Sequence, residues 1–247
     1  MTGNRVATVY SWLAAAAASR NEPITNTVLC RTACQHLAVD GASVALMSRA
    51  ADGEGPPRIH QDPVATTGAT SARLEELHLT AGEGPSAEAF TRAAPVLIPD
   101  LQVGTSRWPG FGSAALACGV AAIFAYPLRS AATQVGVLTA HRASPGTLAS
   151  QARADAPVFA ELAAHLLRTD PAGLLTVAAR PDTGSAAARD EVHQAVGVLS
   201  VQLGVGLPAA FDRLRAHAFT HGTQLSDVAR EVVSHRLHLP SDSGDNP

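Results

Sequence analysis

The chain has 247 residues and a mass of 25.3 kDa, with 18 Lys+Arg against 21 Asp+Glu for a formal charge of -3, and it is 46% apolar and 4% aromatic. That length suits one large domain or two small ones. Every basic residue is arginine and the balance is acidic, which excludes a polybasic arm or a globally cationic surface as the route to nucleic acid or a membrane, while the composition excludes a disordered or membrane-spanning chain.

At the N-terminus Val6, Val9, Tyr10, Leu13 and Ala17 recur at helical spacing, and Ala14 to Ala18 are strong helix formers. A helix is therefore expected within residues 1–25. A secretory apolar segment is the weaker reading, because Tyr10 and Trp12 suit a packing face better than a uniform apolar run. Between Asn26 and Arg168 short helical and β-like runs alternate. Helices are predicted at Thr27 to Val39, Ser71 to Leu77, Pro85 to Arg92 and Thr147 to Leu167. Strands are predicted at Ala42 to Met47, Val96 to Ile98, Val120 to Tyr126 and Gln134 to Ala140. The mixture lacks regular βαβ spacing and predicts an α+β domain over 26–168 with an antiparallel sheet flanked by helices.

Residues 169–185, rich in Pro, Gly, Thr and Asp, read as a linker. An all-α unit of three helices follows over 186–239, and then a polar tail, 240–247, expected to be disordered. Val192, Ala195, Val196, Leu199 and Leu203 share one face of the first helix, which Gly204 closes. Pro208 opens the second, whose stripe is Phe211, Leu214 and Ala218 and whose end is Gly222. The third carries Leu225, Val228, Ala229, Val232 and Val233, with Ser226 or Thr223 as its cap. About fifty residues make a marginal core, so partner helices or a homodimer are expected to complete it.

Few residues suggest chemistry. Three cysteines, Cys30, Cys34 and Cys118, are too few and too scattered for a disulfide framework and point to a reducing cytoplasm. Cys30 and Cys34 share a helix face near His36, where packing is favoured over a redox or metal role. Gly82-Glu83-Gly84-Pro85-Ser86 lacks the Gly-Lys-Ser/Thr ending of a phosphate loop and reads as a turn that starts a helix at Pro85; Ser86 has no recognisable base. His217 and His221 are four apart, the spacing of a two-ligand metal face, but no third ligand accompanies them. They read as surface or partly packed histidines that add positive charge at slightly acid pH. With no triad, paired carboxylate or metal constellation, no enzyme, cofactor or metal site is expected.

The segment EVHQAVGVLSVQLGVGLPAAFDRLRAHAFTHGTQLSDVAREVV, Glu191 to Val233, resembles the ANTAR domain. The likeness is spread over Gln194, Ala195, Gly197, Leu199, Gly204, Ala210, Leu214, Arg215, Ala218, Leu225, Val228 and Ala229. The region before it resembles a GAF domain, through LTAGEGPSAEAF at Leu79 to Phe90, APVLIPDL at Ala94 to Leu101, RWPGF at Arg107 to Phe111, and GVAAIFAYPL followed by QVGVLTAHR. The pair implies a cytoplasmic, dimeric transcription regulator. Its GAF sensor, open to a small-molecule ligand, controls a three-helix RNA-binding domain that holds hairpins in nascent transcripts and prevents termination. Many ANTAR domains carry Lys and Met where this chain has Val196 and Ser200, and the missing Lys removes one phosphate contact.

Residues 186–239 hold five arginines and five acids, so net charge alone does not suggest RNA. The resemblance and the placement of side chains together assign RNA contacts to Arg189, Arg213, Arg215, His217 and Arg230. Two alternatives stand beside this reading: a DNA-binding helix-turn-helix with its turn at His221 to Gln224, and a dimerisation or partner-docking unit without nucleic acid.

Overall fold

In the computed structural model, which describes residues 2–50, 58–130, 133–169 and 184–240, the chain falls into two units, Met1–Arg180 and Pro181–Pro247. Most of the predicted linker (170–183) and all but the first residue of the predicted tail (241–247) lie outside the described residues.

The first unit is built on one antiparallel sheet of order β2-β1-β5-β4-β3. Its strands are β1 Gly41–Ala50, β2 Arg58–Thr66, β3 Val96–Ile98, β4 Ala122–Ser130 and β5 Thr133–Arg142. Successive side chains point to opposite faces of such a sheet. Ala42, Val44, Phe124, Tyr126 and Leu138 enter one core with helices α1 Thr2–Ala18, α2 Asn26–Leu37 and α7 Ser150–Thr169. Met47, Ile123, Ala125 and Val137 enter a second core with α3 Gly68–Ala81, α4 Pro85–Arg92 and α6 Pro109–Ala117. A short helix α5, Leu101–Gly104, and a 3-10 turn at Thr105–Arg107 lead into α6.

The predicted N-terminal stripe is the buried face of α1: Val9, Leu13 and Ala17 are buried. The Trp12 ring stacks flat on His36 of α2, centroids 3.8 Å apart, and Arg5 pairs with the buried Asp155 of α7. This helix is thus part of the first unit. Sequence patterning missed β2 and α6. β2 carries Asp62 and Pro63, residues depleted in strands, and it forms because it is an edge strand, where Pro63 lies opposite Ala45 beside an irregularity in the register. Pro127 in β4 is tolerated for a related reason: β3 pairs only with Ile123 to Ala125 and leaves that side of β4 open beyond. α6 is built from small residues with no apolar stripe, and Pro109 starts it.

The second unit has three helices, α8 Gly184–Leu203, α9 Leu207–His221 and α10 Leu225–Val233. Ala195, Val196 and Leu199 of α8, Ala210, Leu214 and Ala218 of α9, and Leu225, Val228, Ala229 and Val232 of α10 are all buried. Gly204 (φ +64°) and Gly222 (φ +62°) adopt the left-handed conformation that ends a helix, as expected. The predicted cap of the third helix is corrected: Gln224 holds that position without a side-chain hydrogen bond, and Ser226 is buried in the first turn. Among the described residues no single helix is long and apolar enough to cross a membrane.

Candidate functional site

The candidate RNA-contacting residues divide into separate places on the second unit. Arg213 and Arg215 are two residues apart, so they project about 200° apart around α9, on either side of the fully buried Leu214. Arg215 shares its flank with Asp212, 3.6 Å away, and with Phe219 one turn on, which is 53% exposed. On the other flank the Arg213 guanidinium donates to the Pro240 carbonyl at 3.2 Å. His217 follows on that side and stacks on His221, centroids 4.0 Å apart.

Arg230 of α10 is braced elsewhere. It donates to both carboxylate oxygens of Glu191 on α8, at 3.3 and 3.1 Å, and to Asp227 at 2.9 Å. The hydrogen bonds to Glu191 lead the causes that raise its pKa further. Arg189 is on α8, and its side chain lies outside the described residues. The structure therefore brings Arg213 and His217 together, sets Arg215 on the opposite flank, and makes Arg230 a tie between α8 and α10. Partial burial, followed by the neighbouring His221, lowers the His217 pKa, so this residue gains its charge further into acid than expected. Phe219 was missed, although its position four residues after Arg215 and off the Leu214 stripe was legible. Among the described residues no group of three His, Cys, Asp or Glu could hold a metal.

The first unit carries a buried polar network on the α3 and α4 side of its sheet. Glu75 of α3 accepts from Ser43 of β1 and from Gln61 of β2, both at 2.5 Å. Ser71 lies 3.0 Å from Nε2 of His141 on β5. A Cβ on Gly41 would come within 2.2 Å of that nitrogen and 2.5 Å of the Ser71 hydroxyl, so glycine is what lets β1 pass this contact. Two turns further along α3 from Ser71, His78 Nε2 lies 3.2 Å from the Ser86 hydroxyl, which also bonds Thr139 at 2.9 Å. Ser86 thus has an imidazole neighbour that the sequence did not reveal, and both side chains are buried and face the core.

The flanking turn is structural. Gly84 and Pro85 start α4, and Glu83 accepts the Gly110 N–H at 2.6 Å, capping α6 with a carboxylate of its own. Burial raises the thiol pKa of both Cys30 and Cys34, which keeps them protonated and fits their packing role. An open cleft of about 350 Å³ beside this network is lined by Asp40, Thr67, Thr70, Cys118 and His141 among others.

Burial also raises the Glu75 pKa, against the opposing pull of Ser43 and Gln61. A carboxyl raised on folding supports stability below its unfolded pKa and loses that support as pH rises through the folded value. Glu75→Gln keeps the shape and cannot ionise. It is expected to raise the melting temperature at pH 7 and to leave it unchanged near pH 4. A melting series from pH 4 to 8 checks this.

A family model of the GAF domain matches residues 25–168, and one of the ANTAR domain matches residues 184–233. The chain belongs to the GAF family and carries an ANTAR domain. The pairing is that of a signal-controlled regulator. Among solved structures, the chain is similar to the GAF domain of a phosphoenolpyruvate-protein phosphotransferase from Acinetobacter, at 12% identity and a TM-score of 0.46 over 66% of this chain and 94% of that one. It is similar to the corresponding domain from Coxiella burnetii at 16% identity and 0.46, over 68% and 96%. A free methionine-R-sulfoxide reductase of type II from Thermoplasma acidophilum is similar at 12% identity and 0.42, over 58% and 89%. No curated protein matches the chain.

Proposed function

We propose that the protein is a cytoplasmic, homodimeric transcription antiterminator that holds hairpin RNA with its ANTAR domain under the control of its GAF domain. The observation that carries this is the ANTAR match over residues 184–233, joined to a three-helix core that displays arginine on both flanks of α9. The protein acts by binding rather than by catalysis. Phosphates attract Arg213 and bases or phosphates attract Arg215, while two domains in a dimer engage paired hairpins with the gain in effective concentration that linkage brings. A small polar ligand of the GAF domain would be read at the cleft beside His141, which borders the buried network on α3.

The double substitution Arg213→Ala with Arg215→Ala is expected to weaken binding of full-length protein to a tandem-hairpin RNA about tenfold or more, with helix content by circular dichroism unchanged. Equal affinity in the double variant would remove α9 from the proposed surface. One observation favours the partner-docking reading instead: Arg230 is already neutralised by Glu191 and Asp227. That reading predicts no RNA binding at low salt by folded protein.

A further inference from the structure

We infer that Arg215 and Phe219 form a stacking platform on α9 for an unpaired base of the RNA, whereas Arg213 on the opposite flank takes phosphate. The inference rests on the RNA reading above. Residues 184–240 contain two aromatic side chains, Phe211 and Phe219. Phe211 is half-buried on the core side of α9, but Phe219 is 53% exposed, in a chain that places most of its few aromatics inside. Phe219 follows Arg215 by four residues, which makes the two neighbours along one side of the helix. The Arg215 guanidinium is held one turn back by its 3.6 Å approach to Asp212.

Charge decides which part of an RNA this flank accepts. Asp212 beside Arg215 cancels the attraction for a phosphate and repels one that comes close. A flat ring and a guanidinium side by side still offer a face to a nucleobase, because stacking does not depend on net charge. On the opposite flank Arg213, which donates to the neutral Pro240 carbonyl, is the group that takes phosphate. Residues 186–239 carry equal numbers of arginines and acids, so a charge-independent contact supplies what the weak Coulomb attraction does not. Unpaired loop bases are the groups that proteins take in this way.

The test uses full-length protein and a tandem-hairpin RNA with 2-aminopurine in place of one loop adenine. Phe219→Leu keeps apolar exposure without the ring and is expected to lose about tenfold or more in affinity, the range for one stacked base. It is also expected to lose the fluorescence change on binding and to leave the salt dependence as it is. Phe219→Trp is expected to retain both affinity and signal. Arg213→Ala is expected to lower the slope of log affinity against log salt by about one. If wild-type protein binds and Phe219→Leu binds as tightly, the platform is overturned and the RNA reading stands. If Phe219→Leu instead breaks a dimer in sedimentation, the ring covers a second copy and the platform is likewise overturned. If wild-type protein does not bind the RNA, both readings fall.

Discussion

His78→Gln is expected to flatten the acid side of the stability profile of the GAF unit. His78 is fully enclosed on α3, stacked on Phe111 with centroids 4.3 Å apart and bonded through Nε2 to Ser86. Its Nδ1 faces the Leu74 carbonyl of the preceding turn without a hydrogen bond of normal geometry, and that carbonyl offsets only a little of what burial does. Burial drives the pKa from 6.5 down to about 3. A folded pKa depressed in this way supports stability above the unfolded value near 6.5 and withdraws it progressively as pH falls toward 3. Between pH 7 and pH 5 the withdrawal is about 2 kcal/mol, and over the full interval about 5 kcal/mol. The variant loses some packing at neutral pH, but the gap between it and wild type should close by about 2 kcal/mol at pH 5. Urea unfolding followed at several pH values measures this directly, and a constant gap would mean that His78 is not the group that charges on unfolding.

Leu214→Ala is expected to unfold the ANTAR unit while the GAF unit stays folded. Leu214 is fully buried in the middle of α9, between Ala210 and Ala218, which also have no exposure. Removing a buried leucine costs about 2–5 kcal/mol, and the alanines on either side are too small to fill the space. A three-helix unit of about fifty residues has little more stability than that to lose. Calorimetry should show the transition of the C-terminal unit shifted below physiological temperature, with RNA affinity lost together with it. A shift of only a few degrees would show that the unit is held mainly by something other than this core.

What the sequence made legible follows from how local each signal is. The C-terminal helices could be read because Gly204, Pro208 and Gly222 mark their ends and the buried residues recur at helical spacing, all within a few turns of chain. β1, β3, β4 and β5 were legible from their β-branched and apolar runs. β2 was not, because an edge strand tolerates the Asp62 and Pro63 that argue against a strand. The buried network was hidden for a different reason. Ser43 meets Glu75 and Ser86 meets Thr139 across 32 and 53 residues of chain, pairings that only the sheet creates. The division of the arginines on α9 was legible in the helical period, since two residues carry a side chain past the far side of Leu214. The bracing of Arg230 by Glu191 was not, since it joins two helices 39 residues apart.

Binding of the full-length protein to tandem-hairpin leader RNA across a salt series, with duplex DNA as competitor, decides whether the protein is an antiterminator. Loop-selective binding that falls with salt and resists DNA competition is predicted. No binding at low salt by protein whose α8 to α10 unit is folded would contradict the antiterminator assignment.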